Sequence, residues 1–380
     1  MTLQTKNRLL YIDNIRILLI SLIVLLHLVI TYGGPGDWYY REIQFENIDL
    51  ISKIVYALFN ATVQAFALGF FFMISGYFTA VAYDIKGPWR FLKGRLLRLG
   101  LPLLFQVIVI HPVLMYALWN KTGLSFPAFM AGYFSKPRNP GFGPLWFVEA
   151  LLLFSIIYVI WQQLTHFSVS KEKKENDIPG NAAIIIFALL VGLASFIVRI
   201  WLPVGWTCQP LNFQFPHFAQ YISMFTVGTI AYNGNWFERL SDKNGKLWLK
   251  SIIILLFSFP VFLFLGGATK GDYSLMGGLN WQSLVYAMWE QLVCVGMIAG
   301  LTYLFRSHYD RQGKLAQSLS ASAYTVFIIH APVLVFLGLA LKNIDLYPLL
   351  KFFLAALMAL SVSFFLANVI RKFPLAKQIL

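Results

Sequence analysis

An all-α, polytopic membrane fold is predicted by three observations. Apolar residues make up 58% of the 380-residue chain, and mean hydropathy is +0.68. Charged residues are 12%, against about 25% in an ordinary soluble domain. The apolar residues are also gathered into runs close to the ~20 residues an α-helix needs to cross a hydrocarbon core, where it must satisfy its own backbone groups. Together these exclude a disordered chain and an ordinary cytosolic enzyme. Net charge +14 would suggest nucleic acid in a soluble protein. Here the basic residues sit in short clusters between apolar runs, so they read as topology and no nucleic-acid partner is expected. Cys208 and Cys294 fit no metal or disulfide spacing, and no metal site is expected.

Ten spans follow in order, at roughly 10–32, 54–83, 99–119, 144–165, 181–201, 216–235, 248–267, 282–305, 318–341 and 348–370. The first follows a short basic stretch, Met1 to Arg8, with no small-residue cleavage site, and is read as a retained helix rather than a signal peptide. The second is long and begins with an interfacial turn. Pro102 and Pro112 in the third and Pro332 in the ninth are positions for kinks. Lys and Arg then set the orientation. With a cytoplasmic N-terminus, 20 of the 30 fall on the inner side and nine on the outer, while Arg16 lies within the first helix. That bias, with an even number of spans, predicts both termini in the cytoplasm. No connecting segment is long enough to fold alone, the longest outer one being about 120–143. No internal repeat is visible, which argues against inverted-repeat transporter symmetry. Residues 1–380 are read as one membrane domain with no appended soluble domain.

Ionisable groups inside a bilayer cost a few kcal/mol or more each and are functional hypotheses by default. The candidates are Asp13, Arg16, His27, His111, Glu149, Glu290 and His330. Arg16 and His27 are 11 residues apart; at about 100° per residue they share one helical face, separated by about 16 Å of rise. Asp13 lies on the same stripe, so one face carries an acid and a guanidinium near the cytoplasmic entrance and an imidazole much deeper.

Several segments around these residues resemble motifs of one family. Arg16 and His27, within Tyr11-Ile12-Asp13-Asn14-Ile15-Arg16 and the ensuing helix, resemble the first-helix signature of the acyltransferase 3 family of integral membrane acyltransferases. Phe70 to Tyr77, Arg95-Leu96-Leu97-Arg98 before Leu101-Pro102, Gly143 to Glu149, and Ser322 to Pro332 resemble four further motifs of that family, in order. The last is most similar to the branch containing glucan biosynthesis protein C, a succinyltransferase of periplasmic glucans. The resemblance covers nearly the whole chain. It implies transfer of an acetyl or succinyl group from cytoplasmic acyl-CoA, a co-substrate and not a resident cofactor, to a carbohydrate hydroxyl at the outer face of a bacterial inner membrane.

The residues can be matched to that chemistry. His27 is the expected general base, because an imidazole titrates near pH 6.5 and can take a hydroxyl proton and return it to a departing thiolate. Glu149 would orient a ring or the acceptor, or is a neutral carboxyl packed in the bundle. Arg95 and Arg98, at i, i+3, offer guanidinium forks that match phosphate oxygens; anionic lipid contact is the plain alternative. Arg16 helps at the same mouth or pairs structurally with Asp13. Ser75 is read first as helix packing beside Gly76, which permits close helix approach, and otherwise as a donor of a hydrogen bond into the cavity. Trp146 would stack on a sugar, and His330 would line the acceptor side. His111 and Glu290 match no motif and are expected to be polar packing. The main alternative function is a proton-coupled transporter using the same intramembrane groups; a non-catalytic membrane partner is a second.

Overall fold

The computed structural model describes residues 8–120, 123–136, 141–166 and 177–379. Eleven principal helices follow in order: α1 Leu10–Thr31, α2 Leu50–Lys86, α3 Pro88–Trp119, α4 Phe126–Phe134, α5 Trp146–His166, α6 Asn181–Trp201, α7 Phe218–Gly234, α8 Asp242–Leu265, α9 Trp281–His308, α10 Lys314–Leu341 and α11 Pro348–Ile370. Among the described residues the only β-type pairing is an isolated antiparallel bridge between Cys208 and Phe213. The chain is an all-α polytopic membrane protein.

Among the described residues nine helices, all but α4 and α7, are long and apolar enough to cross a membrane. The predicted sixth span is α7, which has 17 residues and is therefore about 25 Å long, at the lower limit for a crossing. Its two ends nevertheless lie at opposite sides. Just before it, the Pro216 carbonyl accepts from Arg199 Nε (3.2 Å) at the C-terminal end of α6. Just after it, the Phe237 and Glu238 carbonyls accept from Arg306 Nη1 (3.3 and 3.0 Å) at the C-terminal end of α9. Among the described residues α7 thus runs from one side of the bundle to the other beside the nine longer helices. Arg8 and Arg371, near the two ends of the chain, line the same cavity.

The third span begins earlier than expected. Gly87, with φ +73°, ends α2, and Pro88 occupies the first helical position of α3, where its fixed φ is pre-organised and its missing N–H costs nothing. Arg90, Lys93, Arg95 and Arg98 are therefore borne on a helix and not on a preceding loop. Within α3, π-type turns over Leu96–Gly100 and Gln106–Ile110 precede Pro102 and Pro112. A proline has no N–H for the carbonyl four residues back, and its ring crowds that carbonyl. For Pro102 this is the carbonyl of Arg98, which accepts instead from the Tyr324 hydroxyl of α10 (2.8 Å).

Two other features set the bundle's geometry. A Cβ on Gly76 of α2 would fall on the Phe225 carbonyl of α7, and one on Gly228 of α7 would fall on the Met73 carbonyl of α2; both glycines are needed for the helices to touch. Two basic residues assigned by charge counting to the outer side are interior. Arg199 is fully buried and ion-paired with Glu290 of α9, and Lys351 is ion-paired with Glu42 while donating to the Ile344 carbonyl (2.7 Å). Neither charge faces the outer solvent, so the inward Lys/Arg bias is larger than the count suggested.

Candidate functional site

The predicted site residues fall into two groups, one at each end of a path through the bundle. The inner group lines a cavity of about 750 Å³ between α1, α2, α3, α5 and α10. Asp13, Arg16, Ser75, Arg95 and Arg98 all open onto it. Its lining carries six basic side chains, the others being Arg8, Lys86 and Arg371, against one carboxylate, Asp13.

Local contacts fix the orientation of these cations. Asp13 accepts from Arg8 Nε (2.6 Å) and Arg16 Nη1 (3.1 Å), the second an i, i+3 pair on α1. Arg16 also lies over the Phe78 ring, 4.6 Å from its centroid. Arg95 donates to Thr79 Oγ1 (3.0 Å) and lies over Phe91 at 5.2 Å. Arg98 stands over the Tyr324 ring at 5.7 Å, the same residue whose hydroxyl caps the Arg98 carbonyl. Among the described residues no carboxylate pairs with Arg95 or Arg98. Two guanidinium groups held by neutral partners at a cavity wall keep their charge and most of their donors for an anion.

Deeper in, the cavity ends against Phe147 and Phe327, whose rings meet at 5.6 Å. One turn beyond Phe327 on α10 stands His330, with its ring 5.6 Å from Phe327. There α1 and α10 bring the two imidazoles together: His27 and His330 are stacked with centroids 5.3 Å apart and planes 16° from parallel. A third ring completes the group. Trp38, from the connection between α1 and α2, stacks on His27 at 3.8 Å and lies 5.8 Å from His330.

The hydrogen bonding of His330 sets its tautomer. Its Nδ1 is 2.6 Å from the Phe327 carbonyl, and a carbonyl only accepts, so in the neutral ring the proton sits on Nδ1 and Nε2 carries the lone pair. That Nε2 is buried without a partner, as is Nδ1 of His27. An imidazole oriented by one nitrogen and free at the other is the arrangement proton transfer requires.

Four candidates make no direct contact with this pair. Glu149, in the first turn of α5, has Oε2 buried without a partner and makes no hydrogen bond to either imidazole among the described residues. Trp146 is buried and packs on Phe218 and Tyr221 of α7, at 6.4 and 5.7 Å, away from the imidazoles. Glu290 lies in a separate buried group with Arg199, His217 and Tyr286: Arg199 Nη2 is 3.1 Å from His217 Nδ1, and its guanidinium lies over Tyr286 at 5.6 Å. His111 is bonded through Nδ1 to the Tyr133 hydroxyl of α4 (2.5 Å).

Sequence reasoning did not single out Trp38 or Tyr324. Trp38 lies in a connection without regular periodicity. The signal for Tyr324 was its place within the Ser322 to Pro332 motif, although nothing in the spacing connects it to Pro102.

A family model described as an acyltransferase domain matches residues 9–368. Neither the curated proteins nor the solved structures provide a match.

Proposed function

The chain belongs to the acyltransferase 3 family of integral membrane acyltransferases, and we propose that it transfers an acetyl or succinyl group from cytoplasmic acyl-CoA to a hydroxyl of a cell-envelope carbohydrate. The carbohydrate is a glucan in the reading that follows the glucan biosynthesis protein C branch, and the membrane is a bacterial inner membrane. The observation that carries the proposal is the cavity rich in basic side chains, which ends one turn below the paired imidazoles of His27 and His330.

The phosphates of coenzyme A are the anionic part of such a donor, and Arg95 and Arg98, with Arg16 behind them, are the groups that would hold them. The thioester arm then runs along the apolar wall of Phe71, Phe147 and Phe327 toward the imidazoles. There the acceptor hydroxyl loses its proton to an imidazole nitrogen. Its oxygen forms a bond to the thioester carbonyl carbon, and the carbon–sulfur bond breaks. The proton passes from the imidazolium to the coenzyme A thiolate, leaving an ester and a free thiol. His27 is the assigned base, and His330, with Nε2 free, is placed to hand on or share the proton.

A base of this kind contributes about 10²–10⁴-fold, or about 3–5.5 kcal/mol. Single-turnover transfer at saturating acyl-CoA is the test, with a thermal-shift check of folding. His27→Ala is expected to abolish most transfer while donor binding survives, and His27→Asn should not rescue it, because an amide has no useful basicity. Near-wild-type turnover in His27→Asn would reassign the base to His330.

A further inference from the structure

We propose that Trp38, Tyr39 and Gln106, together with the paired imidazoles, form an acceptor subsite built for an uncharged sugar ring. The inference rests on the acyl-transfer reading above and adds the charge class of the acceptor and the residues that select it.

The subsite extends the imidazole group outward. Trp38 meets Tyr39 edge to face at 5.3 Å, and Tyr39 meets His111 at 5.5 Å. Gln106, on the second π-type turn of α3, donates from Nε2 to the Tyr39 hydroxyl (3.3 Å). Gly143, at φ +51°, opens the segment leading into α5; a Cβ there would fall on the Tyr39 hydroxyl and lie 3.2 Å from Gln106 Nε2. The glycine of the Gly143 to Glu149 motif thus leaves room for this contact.

Four buried polar atoms in this connected group have no partner: Gln106 Oε1, Trp38 Nε1, His27 Nδ1 and His330 Nε2. Gln106 and His330 are fully buried. Leaving such atoms unpaired is costly, so native proteins rarely collect them in one place without a ligand to satisfy them. The set mixes acceptors, a donor and flat ring faces. A sugar ring matches it, because each hydroxyl both donates and accepts and its C–H face packs on an aromatic ring.

Charge decides the class. Every side chain in these contacts is an aromatic, an amide or an imidazole. The nearest charges in the sequence are turned elsewhere: Asp37, beside Trp38, is exposed at the surface, Arg41 is turned toward the Gly36 carbonyl and Gln44, and Glu42 toward Lys351. A carboxylate-bearing sugar would be buried here without a counter-charge, which is heavily penalised. Trp38 now covers His27, so the acceptor must displace it or stack on it.

The test uses full-length protein in detergent with acetyl-CoA, whose acyl group brings no charge of its own. The acceptor is a neutral glucose oligosaccharide, compared with an oligogalacturonate of equal length. Gln106→Leu and Trp38→Ala should each raise the acceptor KM by about tenfold, equivalent to about 1.4 kcal/mol, with the affinity for acyl-CoA unaltered. Trp38→Phe, which keeps a ring but loses the N–H, should fall between wild type and Trp38→Ala and guards against misfolding of the latter. The wild type should prefer the neutral acceptor. Transfer to the neutral sugar with unchanged KM in folded Gln106→Leu and Trp38→Phe variants, or equal use of the uronate, overturns the subsite alone. Failure of the wild type to acylate any sugar overturns the carbohydrate reading and the subsite with it.

Discussion

Removing the Arg98 guanidinium tests whether the inner cavity is a phosphate-binding mouth. Two bare charges at 4 Å in a medium of effective dielectric near 20 attract by about 4 kcal/mol, which is an upper bound because both must shed water. A charge-assisted hydrogen bond measured by deletion is worth about 1.5–3 kcal/mol. The lower range applies here, since five other basic side chains still line the cavity in Arg98→Ala. The expected loss is therefore about 10–150-fold in acyl-CoA affinity. Arg98→Lys should recover only part of it, because an ammonium is a point charge and not a fork.

Tyr324 provides the internal control. Tyr324→Phe keeps the ring beneath the guanidinium but removes the 2.8 Å bond to the Arg98 carbonyl, the one that Pro102 leaves without its usual donor. Loss of one neutral hydrogen bond is worth about 1 kcal/mol, so a weakening of about fivefold is expected, smaller than for Arg98→Ala. The assay is calorimetric titration of coenzyme A into detergent-solubilised protein at low and high salt. Wild-type binding should weaken as salt rises, and Arg98→Ala should show a shallower dependence. Unchanged affinity in a folded Arg95→Ala/Arg98→Ala double variant would refute the reasoning and return the pair to a role in topology or lipid contact.

Other predictions follow from the bundle itself. Arg199→Met leaves Glu290 buried without its partner and should destabilise by about 3–5 kcal/mol, whereas Arg199→Met/Glu290→Leu should recover most of that loss; denaturation midpoints of the two variants separate the cases. Gly76→Ala should lower the melting temperature by driving α2 from α7, at a cost of at least about 1–3 kcal/mol, while Gly132→Ala, with nothing within 4 Å, should not. In a background without Cys208 and Cys294, an impermeant thiol reagent applied to intact cells should label a cysteine at position 273 and not one at 243; the reverse pattern would invert the topology.

Much of the fold was legible because a bilayer imposes a simple rule, and runs such as 181–201 and 348–370 meet it without ambiguity. The limits of α3 were less visible. Its basic N-terminal half looks like a loop by hydropathy, but Gly87 and Pro88 form a stop-and-start signal that hydropathy averages away. Arg199 illustrates a different limit. A lone arginine near the end of a span reads as an outer-surface charge, and only the packing of α6 on α9 brings Glu290 to it. At the site, the Arg16–His27 stripe was legible because both residues lie on one helix and helical geometry is known in advance. His330 joins them from a helix some 300 residues later, and its tautomer depends on a carbonyl within its own turn. Trp38 has no periodic signal at all, because its position follows from how an irregular connection folds back over the bundle.

The two ends of the path differ in how they treat charge, and this follows from which helices supply them. The inner mouth takes its side chains from helix ends, α1 at Arg16, α3 at Arg95 and Arg98, and α10 at Tyr324, where long basic groups can reach water when no ligand is bound. The buried imidazole and amide group takes side chains from one turn to several turns deeper on the same helices, His27 on α1, Gln106 on α3 and His330 on α10, with Trp38 and Tyr39 added from the connection after α1. At that depth a permanent charge is expensive, and amides, indoles and imidazoles supply polarity without one. Three helices therefore carry both groups of side chains in register, cationic at one level and neutral at the next, with the Phe147–Phe327 contact between them. An anionic donor, as proposed, would be held where solvent access offsets the cost of its charge. In the proposed reaction with an acetyl donor, the uncharged thioester end would be the only segment that has to pass the aromatic barrier to meet a neutral acceptor.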